Sequence, residues 1–340
     1  MVVNYFFHLL FDIVNQFLPQ KFFIKLASYD EGKERRLWLL NSLRTNKSKA
    51  IFFTILAGVL WGTSFPVIKI GLTYTDPFAF LFWRFLVSSL TLIIAMGVLR
   101  KLEFKVENNR LLVFLGITNA VGYLLQYVAM NYTTAAKAAL FINLSAMWVA
   151  ILSPRLLGES FSKKKIIGVL FGLFGIVFVS TNMDFSTFGQ GQFLADFTLI
   201  CSGVTWAVFM IYNKKFVMKS TSATFQSMTW VVVMTFVTIV PFTVLAGPRF
   251  FPLTSYAWLA IFWTAIVCWV LPYYFWLEGL KHLSASTSTV LLLSEIVIAV
   301  VLSVIVLKEP ITVFSTIGAF FIVVAIALVS ININSKKRKD

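Results

Sequence analysis

Ten long apolar runs dominate this chain, and they constrain its fold more than any other feature of the sequence. Each is close to the ~20 residues that a helix needs to cross the hydrocarbon core of a bilayer. Because lipid offers the backbone no hydrogen-bond partners, each spanning run is expected to be helical. The sequence therefore predicts an all-α polytopic membrane protein with ten transmembrane helices. The runs lie roughly at 50–73, 77–99, 110–131, 134–156, 163–181, 191–213, 223–247, 255–279, 283–307 and 311–333.

The composition excludes the main alternatives to a membrane protein. Hydrophobic residues make up 59% of the 340 residues and charged residues only 13%, whereas soluble domains carry about 25% charged residues. A water-soluble globular protein, a disordered chain and a disulfide scaffold are inconsistent with these values. Cys201 and Cys268 lie inside apolar runs, and no Cys/His group has metal-ligand spacing. We therefore expect buried thiols, no metal, no cofactor and a lipid bilayer as the surroundings.

The positive charges predict the orientation of the chain. The formal net charge is +15, and cytoplasmic loops of membrane proteins are enriched in Lys and Arg. With the N-terminus in the cytoplasm, 24 Lys and Arg residues fall on the inner side and only Arg249 and Lys308 on the outer side. This asymmetry predicts that both termini are cytoplasmic (N-in, C-in). The net positive charge is then explained by membrane topology, and nucleic acid is not an expected partner.

Residues 1–49 precede the first predicted span and form a separate region. The stretch 5–18 is apolar but is interrupted by polar residues such as Asp12, so it is too short and too polar to span. It lacks the basic start and the small-residue cleavage site of a signal peptide. We expect a cytoplasmic extension, in which this stretch either lies on the membrane as an amphipathic helix or has no role.

The two halves of the chain resemble each other. Trp61 recurs as Trp206 and Lys69 as Lys214, both at an offset of 145 residues. Later in each half the offset becomes 150 residues, and 12 of 48 aligned positions are identical. The sequence therefore predicts two five-helix repeats followed by a short tail. Their bounds are 50–185 for the first repeat, 190–333 for the second and 334–340 for a basic cytoplasmic tail.

Each predicted repeat has five spans, and an odd number of spans places the second copy in the opposite orientation. The loops agree with this inversion. Glu159 is followed within six residues by three lysines, whereas its counterpart Glu309 is followed by none. Inverted repeats are characteristic of secondary transporters, in which the solute site lies near the bilayer midplane between the repeats.

Short motifs connect this architecture to a family. They are Gly58-x-x-Trp61-Gly62-Thr63-Ser64-Phe65-Pro66, Phe82-Trp83-Arg84-Phe85, Thr133-Thr134-Ala135-Ala136 and Leu156-Leu157-Gly158-Glu159 in the first half, with Leu283-Ser284-Ala285-Ser286 and Leu307-Lys308-Glu309-Pro310 in the second. In their order and spacing over residues 50–333, these segments resemble the EamA-type branch of the drug/metabolite transporter (DMT) superfamily. The resemblance implies ten helices that export small metabolites. One position departs from the family pattern, because Ser145-Ala146-Met147 stands where a proline is usual, and the local helix geometry is open there.

Glu295 is the clearest candidate for a functional residue. It lies at the middle of the predicted ninth span, where an ionisable side chain costs about 3 kcal/mol on insertion scales. Such residues usually face the protein interior or water. Glu295 is therefore either a site of proton coupling or solute charge, or the structural partner of a polar group on a neighbouring helix.

Two helix faces carry polar or aromatic residues where lipid would favour leucine or valine. In each case the residues follow the i, i+4, i+7 spacing of one helical face. We expect the two faces to line opposite walls of one cavity, and the alternative is ordinary hydrogen bonding between helices. The residues are Asn119, Tyr123 and Gln126 in the third span, and Trp269, Tyr273 and Trp276 in the eighth.

Three further residues are candidates for the same cavity. Trp61 and Trp206 are a repeat-matched pair from the first and sixth spans, although tryptophan also serves simple packing. Asn143 in the fourth span lies close to the level of Glu295, at which it can hydrogen-bond a solute or a neighbouring helix. Together with the two faces above, they define the predicted solute site.

Three of the cations that lie within predicted spans or at their ends need an explanation. Arg84 in the second span either binds a carboxylate or phosphate of the solute, or acts as a structural or gating residue that bonds helix ends. Lys69 and Lys214 lie near helix ends and can reach the membrane surface, so we expect both to be anchors. The fifth and tenth spans carry few polar residues and are expected to be scaffold or the surface of a homodimer.

These features favour a secondary transporter of small organic metabolites, such as amino acids or related amphipathic solutes, that works by alternating access. Export driven by proton exchange through Glu295 is the expected mode, and an uncoupled facilitator is the alternative.

A membrane enzyme is disfavoured because His8 and His282 are far apart and no nucleophile pattern accompanies them. A Walker-type loop is absent from the sequence, so the chain is not itself an ATP-driven pump. The short loops favour a prokaryotic inner membrane.

Overall fold

The computed structural model describes residues 46–98, 109–158, 163–181, 193–219, 224–251, 253–308 and 312–331. In these residues helices cover each of the ten predicted apolar runs. The helices are α1 (Asn46–Gly62), α2 (Ser64–Gly71), α3 (Pro77–Val98), α4 (Asn109–Met130), α5 (Ala135–Asn143), α6 (Ser145–Leu157), α7 (Lys163–Thr181), α8 (Phe193–Lys219), α9 (Thr224–Ala246), α10 (Ser255–Phe262), a π-helical segment (Trp263–Val270), α11 (Leu271–Leu280), α12 (Ala285–Leu292), α13 (Ser294–Leu307) and α14 (Val313–Ile331). The predicted extension up to residue 45, the tail 334–340 and the two loop glutamates Glu159 and Glu309 lie outside the described residues.

Among the residues that the structure describes, six helical stretches are individually long and apolar enough to cross a bilayer, and a bent pair adds a seventh. The bent pair joins Ala135–Val149 to Ile151–Leu157 at an angle of 43°. Pro154 accounts for this bend, since its ring crowds the carbonyl four residues earlier. The chain is therefore a multi-pass helical membrane protein. The six stretches are Asn46–Gly71, Pro77–Val98, Asn109–Met130, Thr224–Ala246, Ser255–Leu280 and Ala285–Leu307.

Two other helix irregularities also precede a proline. α1 ends at Gly62, four residues before Pro66, and α2 begins after Thr63. The π-helical segment ends just before Pro272, which cannot donate a backbone hydrogen bond to the preceding turn. The two irregular points are in contact, because the Thr63 hydroxyl lies 3.1 Å from the Cys268 sulfur. Local sequence therefore accounts for the breaks in the first and eighth spans.

Two further breaks, at Leu144 and Leu293, occur without a nearby downstream proline. At each, the backbone makes i→i−3 hydrogen bonds: Leu144 to Phe141 at 3.3 Å and Leu293 to Val290 at 3.2 Å. The first break immediately precedes Ser145-Ala146-Met147, the stretch in which the family resemblance led us to expect a proline. The helix is thus interrupted there even though the proline is missing. Both interruptions lie deep in the bundle, next to polar residues.

The first helix of each half packs on helices of the other half, and the two sets of contacts involve equivalent helices. α1 packs on α11 and on the broken pair α12–α13, and its counterpart α8 packs on α4 and on the broken pair α5–α6. Glycines permit the close approach: an added methyl at Gly58 would lie 2.3 Å from the Ser294 hydroxyl, and one at Gly203 would lie 2.8 Å from the Phe141 carbonyl. Gly58 and Gly203 are themselves related by the offset of 145 residues. This packing brings both helix breaks to the centre.

Candidate solute cavity

A cavity of about 40 Å³ lies at the centre of the bundle, between the two helix breaks. Its volume gives room for a few water molecules. Seven of the predicted site residues line it, and they come from six of the predicted spans. These residues are Trp61, Tyr123, Gln126, Asn143, Trp206, Trp276 and Glu295.

Glu295 lies in the first turn of α13, directly after the break at Leu293. The first backbone N–H groups of a helix lack intrahelical partners and carry partial positive charge, so this position favours a carboxylate. The Asn143 side-chain amide, beside the other break, lines the same cavity as the Glu295 carboxylate and donates to the Ala139 carbonyl at 2.8 Å. No Lys or Arg in the described ranges forms an ion pair with Glu295. The carboxylate therefore faces the cavity supported by a helix dipole rather than by a cation.

Aromatic rings form most of the apolar surface of the cavity. The Trp61 and Trp276 ring centres are 5.9 Å apart, and Phe209 stacks on Trp276 at 6.2 Å. The Trp276 indole N–H donates to the Ser288 hydroxyl at 2.8 Å. The indole N–H groups of Trp61 and Trp206, by contrast, are buried without a hydrogen-bond partner. Buried donors are normally paired, so these two repeat-matched groups have unused hydrogen-bonding capacity.

Three members of the two predicted faces lie behind the cavity wall rather than in it. Trp269 and Tyr273 continue the aromatic stack from Trp276 and are fully buried. The Tyr273 hydroxyl donates to the Asn213 amide oxygen at 3.0 Å. Asn119 donates to the Thr235 hydroxyl at 2.9 Å, on the side facing α9. Rings and helices of the other half cover these three residues, so the two faces contribute unequally to the cavity.

Arg84 also lies behind the wall, in a cage of aromatic side chains. It is 1% exposed, and its guanidinium donates to the hydroxyls of Tyr127 and Tyr123. The guanidinium carbon lies 4.4 Å from the Tyr123 ring centre and 5.5 Å from that of Phe85, which are cation–π distances. In this state Arg84 therefore contacts the cavity only through Tyr123, and it bonds neighbouring side chains rather than helix ends.

The helix ends are bonded by the two lysines that we expected to be membrane anchors. The Lys69 ammonium donates to the Met130 and Thr133 carbonyls, each at 2.8 Å. Lys214, only 9% exposed, donates to the Leu280 carbonyl at 2.7 Å. Each lysine thus neutralises the carbonyl end of a neighbouring helix, at equivalent positions of the two halves. They act inside the protein because these carbonyls have no intrahelical partners.

Sequence reasoning missed several residues of the cavity wall. Phe65 follows Trp61 by one helical turn, and Phe209 and Met210 follow Trp206 in the same way, so the i+3 and i+4 spacing could have identified them. Ser145 could not be placed without knowing that the helix breaks at Leu144. The residues missed are Ser64, Phe65, Ile142, Ser145, Phe209 and Met210.

Three known proteins that are similar to this chain are all named as transporters or efflux pumps. An uncharacterized transporter of Archaeoglobus fulgidus is 26% identical over 288 residues, which cover 83% of this chain and 97% of that protein. The uncharacterized transporter YyaM of Bacillus subtilis is 26% identical, over 80% of this chain and 90% of its own length. A probable amino-acid metabolite efflux pump of Escherichia coli is 28% identical over 193 residues, which cover 56% of this chain and 61% of that protein.

A solved structure resembles this fold, and a family profile matches this sequence. A crystal structure with 20% sequence identity superposes with a TM-score of 0.71, over 84% of this chain and 99% of that one. The sequence profile of the EamA-like transporter family matches twice, at residues 48–181 and 193–331. The two matches coincide with the two halves whose helices pack in matched pairs. The chain is a membrane transporter with two repeats, and it belongs to the EamA-like transporter family.

Proposed function

We propose that this transporter exports small organic metabolites, amino acids or related amphipathic solutes, by alternating access in exchange for protons. In this proposal ten spans cross a prokaryotic inner membrane with both termini in the cytoplasm. The second repeat is inverted relative to the first. Glu295 carries the proton, and the cavity that it lines is the solute site.

The observation that carries the proposal is the position of Glu295. The carboxylate lies at the start of α13 in a central cavity that Asn143 also lines, and no cation in the described residues pairs with it. A carboxylate buried for structure alone is normally paired with a positive group. A group that must gain and lose a proton needs access to a water-filled space and a partner that tolerates both states. The Asn143 amide meets the second requirement because it can donate or accept a hydrogen bond.

The helix packing supports a mechanism in which one part of the molecule rocks against the other. The broken helices that flank the cavity, α5–α6 and α12–α13, each pack on the first helix of the opposite half. A volume of about 40 Å³ is too small for an amino acid, so loading a solute requires these helices to move apart. Breaks in membrane helices at a solute site are a recurring feature of secondary transporters.

The lining supports an amphipathic solute. It combines aromatic rings, two unpaired indole N–H groups and one carboxylate. A relative in Escherichia coli is named a probable amino-acid metabolite efflux pump. An amino acid with an apolar side chain fits such a lining, since it presents both an ammonium group and an apolar surface.

The test is flux in proteoliposomes that contain the purified protein. A panel of labelled amino acids and related metabolites is measured with and without an imposed pH gradient. We expect accumulation driven by the gradient in the wild type and its loss in Glu295→Gln. Glu278→Gln is the matched control, because Glu278 lies at a helix end and pairs with Lys281 at 2.7 Å. Gradient-driven accumulation that persists in Glu295→Gln would remove Glu295 from the mechanism, and wild-type flux that ignores the gradient would identify an uncoupled facilitator.

A further inference from the structure

Tyr123 and Tyr127 lie one helical turn apart on α4, and Arg84 holds both. One terminal nitrogen of the guanidinium donates to the Tyr127 hydroxyl, and the other donates to the Tyr123 hydroxyl at 3.1 Å. The planar fork of arginine suits two acceptors side by side, which a lysine would not bind in the same way. Arg84 therefore fixes the positions of both hydroxyl groups.

The two hydroxyls have different surroundings. Tyr127 does not line the cavity, and its hydroxyl oxygen accepts from Arg84. Tyr123 lines the cavity, and its hydroxyl oxygen accepts from Arg84. Within the described parts of the chain, no group accepts the Tyr123 hydroxyl proton in turn. Both tyrosines thus retain a hydroxyl donor, but only Tyr123 belongs to the cavity wall.

The positive charge of Arg84, which lies behind Tyr123, is not balanced by a neighbouring anion. The Nε–H of Arg84 is buried without a hydrogen-bond partner, and no carboxylate in the described residues forms an ion pair with the guanidinium. A buried cation without an anion favours the approach of negative charge. The hydrogen bond from Arg84 also polarises the Tyr123 hydroxyl and makes it a stronger donor.

We propose that the Tyr123 hydroxyl, positioned and polarised by Arg84, binds the carboxylate of a zwitterionic solute whose ammonium group pairs with Glu295. This inference rests on the proposed function and narrows its solutes to α-amino acids. Tyr123 and Glu295 line the same cavity, and they are near enough for the carboxylate to act electrostatically on the hydroxyl. An α-amino acid carries its ammonium and carboxylate on one carbon atom, which suits two opposed groups in a small space. A phosphate would instead bring extra negative charge close to Glu295.

Binding to the full-length protein in nanodiscs tests this inference without requiring transport. The probes are leucine, methionine and phenylalanine, each compared with its carboxamide, which keeps the ammonium group but lacks the negative charge. Tryptophan fluorescence reports binding, because Trp61, Trp206 and Trp276 line the cavity. We expect the wild type to bind at least one acid more tightly than its carboxamide by roughly tenfold to a hundredfold, the range expected for one hydrogen bond to a charged group.

Two conservative variants separate a role in binding from a role in folding. Tyr123→Phe and Tyr127→Phe each remove one hydroxyl that Arg84 bonds and keep the ring. We expect Tyr123→Phe to equalise the affinities for acid and carboxamide, and Tyr127→Phe to retain most of the wild-type preference. The inference is overturned if no acid binds, if the wild type has no preference, if Tyr123→Phe keeps it, or if both variants lose it equally. The proposed function is judged separately, by the flux of the wild type in proteoliposomes.

Discussion

Arg84 and Glu295 are two buried charges of opposite sign, and the protein treats them differently. Glu295 faces a cavity at the start of a helix, with an amide beside it. Arg84 is enclosed by aromatic rings and bonded to two tyrosine hydroxyls. A charge that faces a cavity can exchange its partner for a solute or a proton, whereas a charge locked into surrounding side chains can only position them. The difference predicts that Arg84 matters more for stability and Glu295 more for transport.

The largest effect on stability is expected from Arg84→Ala. It removes two hydrogen bonds from a charged donor, each worth about 1.5–3 kcal/mol, and leaves a void among the rings. We expect the free energy of unfolding to fall by about 3 kcal/mol or more. Thermal unfolding of the purified protein in detergent measures this loss. A melting temperature within error of the wild type would show that Arg84 is not a structural centre.

Gly62→Ala is expected to have the next largest effect, because it disturbs the helix that carries Glu295. An added methyl would lie 2.5 Å from the Glu295 carbonyl oxygen and 2.7 Å from the Ile298 Cβ. Crowding of this kind costs about 1–3 kcal/mol and pushes α13 away from α1. Gly97→Ala is the control, because a methyl there has nothing within 4 Å. Equal melting temperatures for the two variants would contradict the close packing of α1 on α13.

Lys214→Met tests a second buried cation. It removes one hydrogen bond to the Leu280 carbonyl and the charge that complements the end of α11. We expect a loss of about 1–2 kcal/mol in the free energy of unfolding. Lys69→Met, at the equivalent position of the first half, is expected to lower stability similarly. If both variants unfold at the wild-type temperature, the two lysines are surface anchors, as their positions in the sequence suggested.

The smallest effect on stability is expected from Glu295→Gln, and this sharpens the contrast with Arg84. The substitution keeps the size of the side chain and removes a charge that has no cation partner in the described residues. We expect a loss of about 1 kcal/mol or less, because the substitution opens no cavity and breaks no ion pair. The melting temperature is again the measurement. A large loss would indicate that Glu295 holds the fold together, and its loss of transport would then have a structural cause.

Much of the cavity could be predicted because polar residues inside apolar runs are conspicuous. Glu295, Asn143 and Gln126 stand out for this reason, and all three line the cavity. The faces of individual helices could not be assigned so well. Asn119 and Tyr273 share helical spacing with cavity residues, but they donate hydrogen bonds to Thr235 and Asn213 within the protein. Spacing shows which residues share a face, and only the neighbouring helices determine what covers it.

The sequence by itself determined the membrane environment, the positions of the helices and the division into two related halves. These properties follow from the lengths of the apolar runs and from the similarity of the two halves. Both can be read directly from the sequence. The tertiary structure alone decided where the helices break without a proline, which hydroxyls hold Arg84, and that Lys69 and Lys214 bond helix ends. Each of these depends on contacts between residues that are tens of residues apart in the chain or more. Such contacts form only when the helices pack, because each buried polar group must find its partner on another helix.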